Sequence, residues 1–232
     1  MNVNSNRPFV LYLSAVSAIQ EPTTDRRRIR GERTRQAILS RAAQLASSEG
    51  LEAVSLQRLA DELGISKSGL FAHFGSKEEL QLATIEEAGR MITEEVIRPA
   101  LKTPRGIGRL WAMTNSYLSY LERSVFSGGC FFEAAAAEFD CKPGQIRDKV
   151  LEGRAFWNQS LARAASDAQS AGELQPDVDV EQLAWELSCL LVGANSTFLI
   201  ERTNVAFDRA RRAIRDRLER IATPSAARLP DN

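Results

Sequence analysis

Side chains able to pair with nucleobases and phosphates crowd into one short stretch, residues 65–80. Ser66, Lys67 and Ser68 stand at its start, Ala72 and His73 in its middle, and Ser76 and Lys77 near its end. A lysine ammonium can donate to O6 and N7 of guanine, serine can pair with several bases, and an alanine methyl can meet the methyl of thymine. Gly69 lets backbone approach backbone closely. Ser55, His73, Lys77 and the amide-rich helix start at Ser76 can hold phosphate oxygens. Enzyme chemistry finds no comparable concentration: His73 is the only histidine, and GxSxG, HExxH, phosphate-loop and dinucleotide-glycine signatures are all absent. Cys130 has no second histidine to act as its base, so no catalysis is expected.

These groups read DNA only if a helix presents them. Residues 56–63 have helical periodicity, Gly64 breaks it, and Ile65, Leu70 and Phe74 supply an apolar inner side to a second short helix over 66–74. A helix, a tight turn and a second helix leave the outer side of the second at the width of a major groove. Ser55 and Ser66 are expected caps, and Ser76 with Glu79 forms a capping box opening a long helix over 77–97, with Pro99 and Pro104 at its exit. Ahead of them, a helix over 32–48 turns Ile38, Ala42, Leu45 and Ala46 inward and stops at Gly50; Arg33 and Arg35 reach from it toward phosphates. Apolar residues recur at helical spacing almost throughout, with no sustained strand-like alternation, so the fold is expected to be all-α. Further helices over 106–123, 130–139, 144–171, 180–200 (capped by Asp179, with Gln182 three residues on) and 207–221 bring the number to about nine.

The chain has 232 residues, 44% of them hydrophobic, enough for one ordinary core and a small second domain. Thirty basic and thirty acidic residues cancel, giving no global attraction to nucleic acid. Over residues 24–77 the balance is basic, through Arg26, Arg27, Arg28, Arg30, Arg33, Arg35, Arg41, Arg58, Lys67 and Lys77 against Asp25, Glu32, Glu49, Glu52, Asp61 and Glu62, and local charge is what phosphates feel. Three cysteines without a CxxC spacing argue against a disulfide framework and a zinc site; neither metal nor cofactor is expected, and a reducing cytoplasm fits. Residues 1–25 are expected to be a disordered extension. A signal-peptide core over residues 9–19 is the alternative, disfavoured by the poor cleavage context Gln20-Glu21-Pro22. The apolar run over 187–200 is broken by Ser188, Asn195, Ser196 and Thr197 and is too short to cross a bilayer, so no membrane partner is expected.

Residues 32–83 resemble the N-terminal domain of the tetracycline-repressor (TetR) family. The resemblance rests on the Arg33-Thr34-Arg35 opening, a long apolar first helix ending at Gly50, the Ser55 to Gly64 segment, Gly69-Leu70-Phe71-Ala72-His73-Phe74, and Ser76-Lys77-Glu78-Glu79-Leu80. It implies a three-helix helix-turn-helix DNA-binding domain over 26–80 and a ligand-binding and dimerisation domain over 81–222; residues 223–232 look like a flexible tail. It also implies a ligand-responsive transcriptional regulator, most often a repressor, whose homodimer binds a roughly palindromic operator in double-stranded DNA and is released by a small-molecule effector. One position departs: Phe71 stands where the family often has tyrosine, so a hydroxyl contact to phosphate is missing or passes to His73. A helical adaptor that contacts protein instead of DNA is the alternative reading of the same elements.

Two recognition helices about 34–36 Å apart address one face of the duplex, so specificity calls for a dimer. The expected interface joins the stripe Leu183, Leu187, Leu190, Leu191, Ala194 and Phe198 to the stripe Ala210, Ala213, Ile214, Leu218 and Ile221, two hairpins making a four-helix bundle. The alternative is that both stripes face the chain's own core. Arg209, Arg211, Arg212, Arg215, Arg217 and Arg220 are expected on a solvated face among neighbouring acids. Trp111, Phe126, Phe132, Phe139, Trp157 and Trp185, with Asn115 and Tyr117 as polar groups, are the expected lining of an effector pocket, although any helical core has this composition. The segment Gly128-Gly129-Cys130-Phe131-Phe132 resembles a short motif in one branch of the family. Cys130 at a helix start is either a thiol of lowered pKa, open to redox switching, or a small buried apolar residue.

Overall fold

The computed structural model describes residues 26–230, with side chains from residue 28 onward. The expected disordered extension over 1–25 therefore lies outside the described residues. Helix α1 (Arg26–Glu49) begins six residues earlier than the sequence pattern suggested, because Arg26 to Gly31 contains no breaker strong enough to stop a helix already nucleated downstream. Its Ile38, Leu39, Ala42, Ala43, Leu45 and Ala46 are buried. Gly50 ends it with φ +94°.

Helix α2 (Leu56–Leu63) starts at Ser55, whose hydroxyl accepts from Arg58 N–H, and ends at Gly64 in the left-handed conformation, φ +63°. Helix α3 (Lys67–Phe71) starts at Ser66, whose hydroxyl accepts from Gly69 N–H at 3.1 Å. It is shorter than expected: Ala72 to Phe74 continue as a turn, tied to Leu70 and Ser68 carbonyls. Helix α4 runs as α-helix over Lys77–Ile92, opens into a π-turn over Thr93–Ile97 and closes over Arg98–Leu101. Ser76 accepts from Glu79 N–H at 3.1 Å, while the Glu79 carboxylate accepts from Gly75 N–H at 2.8 Å, one residue earlier than the regular box.

The remaining helices are α5 (Ile107–Glu122), α6 (Phe131–Phe139), α7 (Gln145–Ser170), α8 (Val180–Glu201) and α9 (Val205–Ile221). With α4 counted as one rod, that makes nine among the described residues, whose only isolated extended pairing is the bridge Leu174 to Ala222. Helices α1 to α3 pack into a small unit against the start of α4; α7, α8 and α9 pack in turn, with α5 against all three. One apolar core runs continuously through both parts.

Helix α8 spans 22 residues and is, by length and composition, long and apolar enough to cross a membrane, longer than the run 187–200 had indicated. Its Leu183, Leu187, Leu191 and Ala194 are buried in the chain's own core, as are Ala210, Ile214, Leu218 and Ile221 of α9. Within the protomer both stripes face the chain's own core, the alternative that the sequence left open. The two helices pack on each other and on their own chain, so these eight side chains have no surface left for a second copy; Leu190, Phe198 and Ala213 are half-buried. The stretch expected to be a flexible tail is held against the body over its described residues, 223–230. Thr223 and Ser225 hydroxyls donate to Gly172 C=O at 2.6 and 2.8 Å, Leu229 is buried, and Arg215 donates to Pro230 C=O.

The arginines of α9 do more than face solvent. Arg211 grips Glu122 of α5 with both terminal nitrogens and donates from Nε to Asn115 at 2.8 Å. Arg217 donates to Glu186 of α8 at 2.7 Å, and the Arg215 guanidinium lies 4.6 Å from the centre of the Trp111 ring. Planar guanidinium forks suit such bidentate and stacked ties between helices.

Candidate nucleic-acid interface and apolar cavity

Helix α3 owes its position to the buried side chains Leu59, Ala60, Leu70 and Phe74 and half-buried Ile65, which pin it on α2 and leave the opposite side outward. Ser66, Lys67, Ser68, Gly69, Phe71 and Ala72 are all exposed on that side, with Phe71 43% accessible. Lys67 has no carboxylate partner among the described residues, so its ammonium is available to a base edge. An apolar ring displayed beside serines and a lysine fits contact with sugar or a thymine methyl and cannot donate to phosphate.

The phosphate-side candidates divide. Arg33 is exposed, but Arg35 is half-buried with its guanidinium 4.9 Å from the centre of the Phe74 ring. His73 is half-buried, its ring 6.4 Å from that of Phe74. Ser55 spends an acceptor lone pair on its cap and keeps its proton for another partner. Lys77 is already engaged, donating to Glu52 C=O at 2.8 Å and to the Glu52 carboxylate at 3.3 Å. The local basic excess does not change on folding, but two of its cations are tied up in ion pairs. Arg58 holds Glu49 and Glu62, and Arg41 holds Glu62 at 2.6 Å, so these charges neutralise one another between α1 and α2. Arg28 and Arg30, exposed on the early turns of α1, join Arg33 and Lys67 as outward cations that sequence reasoning had not placed on a helix.

A cavity of about 470 Å³ lies in the second part. Gly89, Ile92, Thr93 and Ile97 of α4, Tyr117 of α5, Cys130, Phe132 and Glu133 at the start of α6, Arg154, Phe156, Trp157 and Asn158 of α7, and Trp185, Ser188, Cys189, Leu191 and Val192 of α8 line it. Four of the expected pocket residues, Tyr117, Phe132, Trp157 and Trp185, are among them. The other four are not: Phe126, Phe139 and Trp111 are buried in the core, with Lys142 over the Phe139 ring, and Asn115 is bonded to Arg211. Trp185 is 60% exposed and stands at the mouth. Glu133, Arg154, Asn158 and Ser188 were missed; single polar residues in amphipathic helices carry no sequence mark of the cavity they enter.

Burial pushes the Cys130 thiol above its ordinary value, and a hydrogen bond from Tyr117 pulls it only partly back. Full burial and a raised thiol both favour the reading of Cys130 as a small buried side chain over that of a low-pKa thiol. Its backbone N–H donates to the buried Asn195 side chain at 3.0 Å, fixing the start of α6 to α8. At the other end of the same helix, the Glu138 carboxylate accepts from Leu51 N–H at 2.6 Å and Glu52 N–H at 2.9 Å, in the turn between α1 and α2.

The profile of the bacterial regulatory proteins of the tetR family matches residues 38–84, and the tetracyclin repressor-like C-terminal domain matches residues 106–214. The chain belongs to the TetR family. The DNA-binding domain of this TetR regulator falls on α1 to α3 and the start of α4, and the C-terminal match holds most of the cavity lining. The chain is 27% identical over 169 residues to the HTH-type transcriptional repressor ComR of Escherichia coli, covering 68% of this chain and 76% of ComR. In fold it matches a TetR transcriptional regulator of Chloroflexus aurantiacus with a TM-score of 0.78 at 24% identity, over 83% of this chain and 98% of the other. AibR, solved in complex with isovaleryl coenzyme A and operator DNA, matches with a TM-score of 0.60 at 20% identity, over 78% of this chain and 95% of AibR.

Proposed function

We propose that this TetR-family transcriptional regulator acts as a repressor: a homodimer that holds a palindromic operator through the outer side of α3 and leaves it when a small molecule enters the α4 to α8 cavity. The observation that carries this reading is the double attachment of α6. Its first turn forms cavity wall at Phe132 and Glu133, and its last turn grips the DNA-binding half at Leu51 and Glu52. A ligand that favours one placement of α6 thereby favours one placement of the recognition helix, which is what differential binding requires. The repressor ComR and the effector-and-operator complex of AibR lend support.

Lys67 reads bases in this scheme, and Arg28, Arg30 and Arg33 hold phosphates. Fluorescence polarisation on operator duplex, recovered by selecting bound DNA from a random pool, tests it. Lys67→Ala is expected to weaken operator binding by about tenfold while leaving scrambled duplex nearly unaffected. Wild-type log affinity should fall with log salt at about 0.9 per phosphate neutralised. Salt-insensitive binding, or equal losses on both duplexes, would contradict the assignment.

The homodimer is built on the outer side of α8 toward its C-terminal end, at Ser196 and Ile200, clear of the cavity mouth at Trp185. Ile200 is 80% exposed and Val205, at the start of α9, 47%, an uneconomical display of apolar surface on a lone protomer. Ile200→Glu is expected to raise the dimer dissociation constant at least tenfold in sedimentation equilibrium, since a charge at an apolar contact centre is left unpaired. An unchanged constant would move the interface elsewhere.

A further inference from the structure

We infer that the cavity binds a lipophilic organic cation, a positive charge carried on an apolar or aromatic body, with Glu133 as its counter-ion and the surrounding rings as its walls. The inference rests on the cavity being the effector site proposed above, and it names what that site selects.

Glu133 is the cavity's one carboxylate, in the first turn of α6. Its side chain is only 20% exposed, and its sole charged partner, Arg154, has Nε 3.5 Å from the carboxylate, beyond good hydrogen-bond distance and with 41% of its own side chain in solvent. Burial pushes the Glu133 carboxyl above its ordinary value, and the Arg154 charge recovers only part of that. No donor offers it a hydrogen bond among the described residues. A half-buried carboxylate so poorly compensated gains more from an entering cation than the more exposed guanidinium would gain from an entering anion.

The walls suit the same guest. The Tyr117 and Trp157 rings lie tilted by 32° with centroids 5.1 Å apart, and Phe132, Phe156 and Trp185 complete an aromatic surround. Ring faces attract a desolvated cation and repel an anion. A delocalised or substituted ammonium-like charge is weakly hydrated and sheds its water at little cost, whereas a metal ion would find no cluster of three ligands among the described residues. A volume of about 470 Å³ also asks for a guest of drug-like size.

Tetraphenylphosphonium and tetraphenylborate have nearly the same shape and opposite charge, and calorimetric titration of each into the full-length protein separates charge from apolarity. Quenching of Trp157 and Trp185 emission, lost in the Trp157→Phe/Trp185→Phe double variant that retains buried Trp111, places a bound probe in the cavity. The phosphonium is expected to bind at least tenfold more tightly than the borate. Glu133→Gln should cut its affinity about tenfold, and Arg154→Gln should raise it, with unchanged circular dichroism as the folding control; if Glu133→Gln fails to fold, the paired probes and Arg154→Gln decide. Borate binding in the cavity as tightly as phosphonium overturns the cation assignment and leaves the effector site standing. If neither ion quenches Trp157 or Trp185, the cavity is no binding site and both readings fall.

Discussion

Gly128→Val is expected to remove about 3 kcal/mol or more of unfolding free energy and to abolish operator binding at 37 °C, because overpacking against rigid backbone has no cheap relief. A Cβ at this position would sit 1.8 Å from Ser47 O, 2.3 Å from Ser47 C and 2.6 Å from Ser48 Cα. All three are main-chain atoms at the end of α1, so no side-chain rotation makes room. The same joint is held by Gln44, which donates to Val125 C=O at 2.6 Å and accepts from Ser127 N–H, and by Ser47, which accepts from Gly128 N–H. Forcing the loop away from α1 breaks this set together and loosens the DNA-binding half from the rest. Urea denaturation gives the measurement. Gly31→Ala is the control: a Cβ there meets nothing within 4 Å, and alanine in a helix should leave stability unchanged or raise it by up to about 1 kcal/mol. A Gly128→Val protein with a wild-type midpoint would mean that the two halves are not joined through this loop.

Glu138→Ala is expected to lower stability by about 2 kcal/mol and to speed amide exchange at Leu51 and Glu52 at least tenfold, since hydrogen bonds to charged acceptors contribute about 1.5–3 kcal/mol. Two consecutive amides converge on one carboxylate in the turn after Gly50, whose positive φ opens a concave nest for an anion. The more telling consequence is for coupling. With the clamp gone, α6 can shift under a bound ligand without carrying the α1–α2 turn along. Whatever factor by which a cavity ligand weakens operator binding in the wild type should shrink toward one, and the operator's effect on ligand affinity should shrink equally, because linkage is reciprocal. Protected amides at Leu51 and Glu52 in the variant would remove Glu138 from the route.

The local grammar of the chain was legible without coordinates. Ser55, Ser66, Ser76 and Asp179 cap the helices they precede because a cap is a contact within three residues, and Gly64 turns where only a residue without Cβ turns easily. Exposure along α3 was legible for the same reason: Ile65, Leu70 and Phe74 declare the inner side of a short element, and the remainder faces out. Which apolar stripe meets what was not. Helix α8 carries two, and the richer one, through Leu183 and Leu187, closes the protomer's own core, leaving Trp185 and Ile200 outside. Lys77 and Arg58 counted as cations open to phosphate, and Arg211 as one paired along its own helix, because their partners Glu52, Glu49 and Glu122 are brought to them by the fold. Leu229, too, looked like part of a loose end until the groove beneath it had been built from distant segments.

The π-turn of α4 bears on how this architecture tolerates change in length over evolution. A turn bonded from residue i to i+5 holds one residue more than the regular i to i+4 turn, and Thr93 and Ile97 within it both border the cavity. Elsewhere in a helix, gaining or losing a residue rotates everything beyond it by about 100°. Here the surplus is absorbed locally, so the stretch packed against α1 and the stretch beneath Tyr117 keep independent alignments. Loss of that one surplus residue would be taken up within the turn, reshaping the cavity wall at Thr93 and Ile97 while the start of α4 keeps its packing on α1.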